Sequence, residues 1–503
     1  MGYAEKRGDY WRGRYKVERG KYGTVIDASG ATMRFRTKRE AEQAANDAEA
    51  KVRAGAWRDP AAGRITFGKY VPGWYAVQDL AASTMQNYRH HIEEHLLPAF
   101  ESLAMGDITT ATIAAWEKRE LAVPYAVSSV KSWRSTLHLI LADAVDEGII
   151  DVNPATRRRG RGKRAGRSRN RGPEKTITGP LGILLIAERM ALLSGRDDEF
   201  VATVLMAYTG LRWGEVVGLE TKYVREGELR VEWQLYELDD GKLLRCPPKD
   251  DSHRTIDLPK WLYELVRDHL ARTKPSPCAC HGLTYVFRGH GAVKGTARQQ
   301  GAKLVDVARR AGVSSGTVSN VLNRPEMVQE PTRLKVAEAM EELGYIRGGS
   351  PRELAAHWRR SGFALGLFQP AVTGTYPSRA PRLPHPVPLK ADPWPGVPVR
   401  GRHASKKADA CWMPIAPGLT PHSLRHIHKT VMEELGTPHK LMDERMGHED
   451  GSVQARYSHV TAEMRRRLMD GLTQRWDESL CARRGLSHSS PVGMLDALLR
   501  ALG

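Results

Sequence analysis

The chain has 503 residues, 41% of them hydrophobic, which is enough for several domains with buried cores. Lys and Arg number 77 against 58 Asp and Glu, and the formal charge of +19 favours a polyanionic partner such as nucleic acid, although a soluble basic protein would carry the same charge. Five sparse cysteines exclude a disulfide framework, and no apolar run is long enough for a membrane span, so we expect a cytoplasmic protein with no membrane partner.

Residues 1–60 are predicted to form a small sheet followed by a helix. Strands are expected at Trp11–Val17, Tyr22–Ile26 and Thr32–Arg36, because β-forming residues there are separated by glycines. Thr37, with Glu40 three residues later, predicts a capping box at the start of a helix that runs to about residue 53. Basic side chains on the strands favour contact with DNA, and solvated strand faces are the alternative.

Residues 64–155 are predicted to form a helical domain with no catalytic residue. Helices are expected to begin at Ser83, where Gln86 completes a capping-box pattern, and at Thr110. A long amphipathic helix is expected at Tyr125–Glu147, because its apolar residues recur at helical spacing. Such a domain is a candidate DNA clamp, which periodicity alone does not establish.

The basic segment, residues 156–176, differs from both domains. Between Thr156 and Lys175 it has ten Lys or Arg and a single acidic residue, so it cannot pack and is predicted to be a flexible linker. It is either a solvated tether or a strap along a phosphate backbone, and we prefer the second. The candidate DNA contacts are Arg157, Arg158, Arg159 and Arg161.

The residues that can carry chemistry begin after residue 177. In AYTGLRWGEVVGL a helix is predicted to end at Gly210, which places Arg212 and Glu215 on a new turn. Lys249 is expected in a hairpin between strands near Leu229–Leu235 and Thr255–Leu258.

A second group of such residues lies near the C-terminal end. His422 and Arg425 are three residues apart, so they share one face of a helix that begins just after Pro421. The stretch ERMGHEDGSVQARYSHV then supplies His448 and Tyr457. Each motif alone is weak, because a buried histidine or an Arg–Glu pair is the commoner explanation for an isolated example.

In this order, the set resembles the tyrosine recombinases, also called the phage-integrase family. The resemblance is carried by YTGLRxGE, by the MGH…Y ending and by six residues: Arg212, Lys249, His422, Arg425, His448 and Tyr457. It implies site-specific DNA recombination, the integration or excision of a mobile element, through a 3′-phosphotyrosine intermediate. It further implies a homotetramer on two double-stranded DNA sites, no cofactor, and accessory directionality or DNA-bending proteins as further partners.

The resemblance also implies a role for each residue. Arg212 and Arg425 would neutralise the phosphate oxygens with forked hydrogen bonds. Tyr457 would attack the phosphorus, and His422 would take its proton, because a phenol with a pKa near 10 needs help at pH 7. The remaining roles are protonation of the leaving 5′ oxygen by Lys249, a phosphate contact by His448, and orientation of a neighbouring cation or imidazole by Glu215.

Residues 301–370 are predicted to be a helix-turn-helix insertion. Leu304–Ala311 forms the first helix, Gly312 lies in the turn, Ser314 caps a second helix, and Pro331–Leu343 forms the third. DVAxxAGVS, TVSxVLN and ELGY resemble the DNA-binding headpiece of lac-repressor-type regulators. That resemblance implies that Ser315, Gly316, Thr317, Ser319 and Asn320 face a major groove.

Two rival functions follow from this insertion. One is a lac-repressor-type transcription regulator without catalysis, which leaves the six catalytic-type residues unexplained. Only 52 residues separate Gln369 from His422, too few for a sugar-sensing domain, so an effector-controlled repressor is disfavoured. The other is a decayed recombinase that still binds DNA, and the insertion itself could be only a packing module.

The rest of the chain completes the predicted organisation. The catalytic domain is divided into residues 177–300 and 401–478, with a Pro-rich linker at 371–400. The tail, 479–503, either docks onto a neighbouring subunit or covers its own core. The fold class is therefore multidomain and mainly α, with small β-sheets.

Cys278, Cys280 and His281 have the tight CxCH spacing of some metal sites. No fourth ligand is obvious beyond Cys246, so we expect a reduced loop and no metal. The neighbouring histidines His426, His428 and His459 are interpreted as bystanders to the catalytic set.

Overall fold

The structure is a computed structural model that describes residues 2–18, 20–27, 30–53, 62–123, 125–156, 176–278, 280–287, 289, 304–323, 327–343, 357–378, 383–401, 403–448 and 459–502. As predicted, the protein is multidomain and mainly helical, with small sheets. It divides into two compact units, residues 1–168 with 303–345 and residues 169–302 with 346–503. Among the described helices, none combines the length and apolarity that crossing a membrane requires.

The N-terminal part of the first unit is a three-stranded antiparallel sheet covered by a helix. The strands Tyr3–Arg7, Tyr10–Glu18 and Lys21–Thr24 are adjacent in chain order, and the helix Lys38–Arg53 packs on them. The predicted capping box forms: the Thr37 N–H donates to the Glu40 carboxylate at 3.1 Å, and the Glu40 N–H donates to the Thr37 hydroxyl at 3.3 Å.

Two predictions for this sheet were wrong. The strand Tyr3–Arg7 was missed because its charged sequence has no apolar alternation; a cross-strand ion pair of 2.8 Å between Glu5 and Arg12 stabilises it instead. The expected strand Thr32–Arg36 forms only isolated bridges, from Thr32 to Ile26 and from Phe35 to Trp11.

The helical domain follows the sheet. Its core is aromatic and aliphatic, with Trp74, Trp116 and Leu137 buried. Thr109 caps one helix, and the helix expected at Ser83 instead begins one residue earlier, without a side-chain cap. The helices are Phe67–Ala76, Ala82–His91, Leu97–Phe100, Thr110–Ala122 and Val127–Asp146, with a π-helical turn at Ile92–Leu96 and 3₁₀ turns at Ala62–Arg64 and Met105–Asp107.

The insertion contains the predicted three-helix motif with its own small core. The helices are Leu304–Ala311, Ser315–Asn323 and Glu330–Glu342, and they bury Val307, Val318 and Val336. Gly312 has a φ of +68°, which suits the tight turn. Ser314 caps the second helix as predicted, because its hydroxyl accepts from the Thr317 N–H at 3.0 Å.

The second unit surrounds one deeply buried helix, Asp198–Thr209, of which every residue is buried. The other helices are Pro180–Ser194, Trp213–Val217, Lys260–Thr273, Arg360–Phe363, Gln369–Thr373, Ala404–Lys407, Pro421–Glu434, His439–Met446, Ala462–Leu486 and Gly493–Ala501, with a π-helical turn at Ala364–Phe368 and 3₁₀ turns at Thr221–Tyr223 and Lys249–Asp251.

Small sheets lie beside these helices. Val224–Arg225, Glu228–Val231 and Arg254–Asp257 form one antiparallel sheet in that order. The predicted strand Leu229–Leu235 is in fact divided between two sheets, because Gln234–Glu237 pairs with Leu243–Cys246. The remaining pairs are Thr375–Tyr376 with His385–Pro386 and Leu389–Lys390 with Val397–Pro398.

Two predicted boundaries do not agree with the packing of this unit, and the same packing bears on the two alternatives for the tail. Trp358 and Phe368 are buried in the same core as Phe200, so residues from 358 onward pack with the second unit rather than with the insertion expected at 301–370. Leu389 is also buried there, so part of the expected linker 371–400 is folded. In the tail, Leu495 is fully buried in this same core, which favours the self-covering alternative.

Candidate active site

Arg212 lies at the start of a short helix, two residues after the glycine that ends the buried helix. Gly210 ends Asp198–Thr209 with a φ of +68°, as the sequence predicted. From Nη1, Arg212 donates to Glu215 Oε1 at 2.9 Å and to Ser252 Oγ at 2.8 Å. Its Nη2 donates a long hydrogen bond of 3.5 Å to the carbonyl of Gly447. The guanidinium is therefore fixed at a defined position.

Glu215 anchors two arginines at once. Its carboxylate is 1% exposed, and Arg254 donates to both oxygens, at 3.0 Å and 2.7 Å. Burial alone raises the pKa of Glu215, but Arg254 and then Arg212 outweigh it and hold the pKa below its ordinary value. A buried, ionised carboxylate between two guanidiniums supports the predicted orienting role of Glu215.

Arg425 and His448 meet at the turn that follows His439–Met446. Arg425 is 4% exposed; it donates to the Gly210 carbonyl at 2.6 Å, to the Met446 carbonyl, and to His448 Nε2 at 3.1 Å. Because Arg212 donates to the carbonyl of Gly447, the two arginines bind consecutive peptide groups of a single turn. Residues 213 positions apart in sequence are thereby brought together.

The charges at this turn are poorly solvated. Burial, and then the nearby charge of Arg212, lowers the pKa of Arg425 to about 9, so the group is still cationic at pH 7. Burial, Arg425 and Arg212 lower the pKa of His448, which favours a neutral imidazole whose Nε2 accepts from Arg425. In that tautomer Nδ1 carries the proton, so the predicted contact between His448 and a phosphate would be a hydrogen bond donated from Nδ1.

Lys249 and His422 lie on a cleft that Arg212 also lines. This cleft has a volume of ≈ 760 Å³, and Trp213 and Phe363 form part of its apolar wall. Lys249 is exposed, in the turn between Leu243–Cys246 and Arg254–Asp257 rather than in a simple hairpin. His422 is exposed on the first turn of its helix, as predicted, with its ring packed edge-on against His426 at 4.8 Å.

The sequence did not reveal the buried groups that support this site. Arg445 donates to His428 Nε2 at 2.9 Å and to the carbonyls of Asp257 and Tyr208, at 2.7 Å and 2.9 Å. His428 Nδ1 in turn donates to the Ala207 carbonyl at 3.1 Å. Burial lowers the pKa of His428 well below its ordinary value, so this histidine, interpreted as a bystander to the catalytic set, is a neutral part of the core that joins three elements.

One sequence signal could have identified Arg254. In the strand Arg254–Asp257, residues two apart share a face, and Ile256 is buried. An arginine at 254 therefore had to point inward, which requires a buried acid. Only the tertiary structure shows that this acid is Glu215.

Some of the predicted residues lie outside the described part of the chain. These are Tyr457 and the basic-segment residues Arg157, Arg158, Arg159 and Arg161, and their roles stay predictions. In the insertion, Ser315, Thr317 and Ser319 are partly exposed on the second helix, and Asn320 is exposed. Val318 is buried on the opposite face.

Comparison with known proteins adds a line of evidence independent of this geometry. Residues 66–120 match the family described as the N-terminal SAM-like domain of phage integrases. A putative prophage phiRv2 integrase of Mycobacterium tuberculosis is 27% identical over 248 residues, 48% of this chain and 62% of the relative. By sequence, parts of this chain are therefore similar to phage integrases. An integrase of Mycobacterium phage D29 is 25% identical over 222 residues, 42% of this chain and 54% of that integrase. The matches thus span less than two thirds of either relative.

Another segment of the chain is similar to a different family. Residues 303–348 match the lacI family of bacterial regulatory proteins. The transcriptional regulator GntR of Escherichia coli is 43% identical over 70 residues, 14% of this chain and 20% of the regulator. Among solved structures, the Tn1549 transposon integrase in complex with transposon right end DNA covers 81% of this chain at 14% identity, with a TM-score of 0.43.

Proposed function

We propose that this protein cuts and rejoins DNA at specific sites through a covalent 3′-phosphotyrosine at Tyr457. The observation that supports this most is the convergence of Arg212 and Arg425 on the consecutive carbonyls of Met446 and Gly447. Two guanidiniums fixed side by side are suited to a phosphodiester, whose anionic oxygens repel a nucleophile until they are neutralised.

The hydrogen bonds of Arg425 strengthen this proposal. Within the described residues, Arg425 donates to two carbonyls and an imidazole, and no carboxylate lies within ion-pair distance of it. A buried cation without a direct counter-ion is costly. A phosphate that enters the site would supply the missing negative charge, so binding energy would be concentrated at the group that reacts.

The other residues fit the remaining steps of a transesterification. Tyr457 would attack the phosphorus in line, with His422 assisting its deprotonation and Lys249 protonating the leaving 5′ oxygen. Lys249 and His422 line the same cleft as Arg212, which supports a shared substrate. The phosphotyrosine would conserve the energy of the broken strand, so the reaction would need neither ATP nor a metal ion.

The partners follow from the same chemistry. We propose two double-stranded DNA sites held by a homotetramer, with accessory directionality or DNA-bending proteins. The helix-turn-helix would add a second contact to DNA through Ser315, Thr317, Ser319 and Asn320. A DNA-binding regulator without chemistry is the second candidate, because residues 303–348 match the lacI family and have their own folded core.

A suicide substrate tests the proposal. A duplex taken from the DNA that flanks the coding region, with a nick near the cut site, should give a covalent protein–DNA band that persists under denaturing conditions. Tyr457→Phe should abolish the band and keep DNA binding, because the ring stays and only the nucleophilic oxygen is removed. Ser458→Ala is the matched control and should keep the band.

Two outcomes would count against the proposal. If Tyr457→Phe forms the same band, the nucleophile is a different residue. If the wild-type protein binds these duplexes but forms no band on any of them, the regulator without chemistry becomes the better interpretation.

A further inference from the structure

Four side chains with metal-binding atoms that are not part of the candidate active site lie close together. They are Cys278, Cys280, His281 and His357, and one ligand atom from each lies within 4.8 Å of all the others. The first three come from a single loop, and His357 comes from a point 76 positions beyond His281 in sequence. His357 is only 5% exposed, so the residues packed around it fix its position.

The distances within this cluster suit one tetrahedral ion. Cys280 Sγ lies 3.5 Å from Cys278 Sγ, 3.3 Å from His281 Nδ1 and 3.5 Å from His357 Nε2. Cys278 Sγ lies 3.7 Å from His281 Nδ1. Zinc bonds of about 2.0–2.3 Å in a tetrahedron place neighbouring donor atoms roughly 3.3–3.8 Å apart, which matches these separations.

The surroundings of His281 orient its ring for coordination. Its Nε2 lies 3.0 Å from the Leu243 carbonyl, which can only accept, so Nε2 carries the proton. Nδ1 therefore presents its lone pair to the two sulfurs. A ring N–H donated to a backbone carbonyl is the usual support of a metal-bound histidine. The Tyr285 hydroxyl is also 3.2 Å from Nδ1 and would donate to it when no ion is bound.

A backbone hydrogen bond supports one of the two sulfurs. The His281 N–H donates to Cys278 Sγ at 3.3 Å, a contact that stabilises a thiolate ligand. With two thiolates and two neutral imidazoles, the charge of a divalent ion would be balanced. This set, two cysteines and two histidines, is a common one for structural zinc.

The cluster lies where the chain leaves the second unit and returns to it. A Cβ at Gly289 would lie 2.3 Å from the His357 carbonyl oxygen, so the two backbones touch. Next to this contact, the rings of Phe287 and Trp358 stack at 5.3 Å. Arg196 further fixes this point by donating to the Gly289 carbonyl at 2.9 Å. One metal ion bound to the loop at 278–281 and to His357 would link the chain before the inserted helix-turn-helix to the chain after it.

We propose that Cys278, Cys280, His281 and His357 bind one structural Zn²⁺ ion that fastens the two ends of the inserted segment together. The sequence pattern alone favoured a metal-free loop because the fourth ligand was missing. That ligand is His357, on the far side of the insertion, and Cys246 is not a member of the cluster. Closing a loop this long restricts the unfolded chain, which is how such an ion stabilises a fold.

Metal analysis of the purified full-length protein tests this proposal. After dialysis against metal-free buffer, the wild-type protein should retain about one zinc ion per chain, whereas Cys280→Ser and His357→Ala should retain little. The controls are Cys411→Ser and Cys246→Ser, which should retain the wild-type amount. Cys411 is an exposed cysteine outside the cluster, and Cys246 is the ligand that the sequence alone would have chosen.

A second measurement on the wild-type protein does not depend on whether the variants fold. Replacing zinc with Co²⁺ should give thiolate-to-cobalt charge-transfer bands and the intense visible bands of a tetrahedral ion. A wild-type protein without bound metal, a spectrum of an octahedral ion, or a Cys278–Cys280 disulfide found by mass spectrometry would each overturn the proposal. So would loss of zinc in Cys246→Ser with retention in His357→Ala. None of these results depends on DNA cleavage.

Discussion

Arg212 and Arg425 reach the same turn but are held in different ways, and this difference determines what a substitution should do. Arg212 rests on the Glu215 carboxylate and keeps Nη2 directed at the turn. In Arg212→Lys a single nitrogen replaces the planar fork, so the carboxylate and a phosphate oxygen are no longer bound by two separate nitrogens held at a fixed spacing. We expect strand cleavage to fall by about 10²-fold or more, since one phosphate-stabilising group contributes a few kcal/mol to the transition state.

The rate of covalent-complex formation on a nicked substrate measures cleavage, and the Kd for the same DNA measures binding. Binding should stay near the wild-type value, because one of many phosphate contacts is changed. Arg230→Lys, a partly exposed arginine beside Glu228 on the middle strand Glu228–Val231, is the control and should cleave normally. Equal losses of binding and cleavage in Arg212→Lys would contradict the assigned role.

Glu215 should make its largest contribution to folding, since it is the buried partner of two cations. Glu215→Gln keeps the shape but leaves Arg254 and Arg212 without their carboxylate, so we expect a loss of about 3 kcal/mol in the free energy of unfolding at pH 7. Urea unfolding measures this loss. Glu228→Gln removes a more exposed carboxylate that also pairs with two arginines, and it should cost under about 1 kcal/mol.

The effect of Glu215→Gln should depend on pH in one direction. Because the folded-state pKa of Glu215 is lowered, the ionised carboxylate stabilises the fold above its ordinary value of 4.5. That stability is lost as the pH falls through the lower folded-state pKa. The difference between wild type and Glu215→Gln should therefore be full at pH 7 and shrink in acid. A difference that is constant with pH would show that Glu215 acts through shape alone.

The candidate site could be predicted only in part, for a physical reason. Arg212, His422 and Arg425 belong to short motifs that are weak singly, and the order of these motifs along the chain, which resembles one family, identified them as candidates. Arg254 and His357 gain their importance from partners 39 and 76 positions away, Glu215 and His281, and no local pattern encodes such contacts.

At the scale of elements, the turn after His439–Met446 places both arginines, and its backbone depends on glycine. Gly447 has a φ of +64°, and an added Cβ would lie 3.0 Å from both Arg254 Cδ and Ser252 Cβ. Arg254 cannot move away easily, because it binds Glu215 and the Arg445 carbonyl. Gly447→Ala should therefore combine backbone strain with crowding and shift the carbonyls that Arg212 and Arg425 bind.

Gly227→Ala is a matched control for this prediction. Its φ is +75°, yet nothing lies within 4 Å of an added Cβ, so only the backbone strain of about 1–2 kcal/mol is expected. In Gly447→Ala, crowding should lower the free energy of unfolding by about 1–3 kcal/mol more. This variant should also lose most of the cleavage activity. Unfolding curves and cleavage rates measure both effects. Similar stability and activity in the two variants would show that the turn adapts without loss.

Elements with a strong local signal were predicted well, and elements held by distant contacts were not. The helix Leu304–Ala311 was predicted with correct bounds, because its apolar spacing, glycine turn and serine cap agree. The hairpin of Gln234–Glu237 and Leu243–Cys246 was missed, although Gly241, with a φ of +83°, marks its turn. The Pro-rich stretch was expected to be a linker, but burial of Val387 and Leu389 in a core formed by distant residues determines its fold.

At the scale of the whole molecule, the net charge of +19 favours binding to the DNA phosphate backbone. In the described residues, many surface arginines pair with acidic residues of their own helix, as Arg466 and Arg467 do with Glu463. Such paired arginines add little to the positive electrostatic potential around the protein. The basic segment has ten basic residues and one acidic residue between Thr156 and Lys175. This one stretch therefore carries a net charge of +9 (10 − 1) out of the +19 of the whole chain, and its role in binding DNA stays a prediction.

Replacing Arg157, Arg158 and Arg159 together with alanine tests that prediction through salt dependence. Each lost phosphate contact releases about one counterion fewer, so the slope of log K against log salt should flatten by roughly one unit per contact. The control replaces Arg466, Arg467 and Arg500, which are exposed and paired with Glu463 or Asp496 on their own helices. It removes the same charge and should leave the slope nearly unchanged. If both triple variants flatten the slope equally, overall charge governs binding and the basic segment makes no contact of its own. If neither does, the segment is a solvated tether.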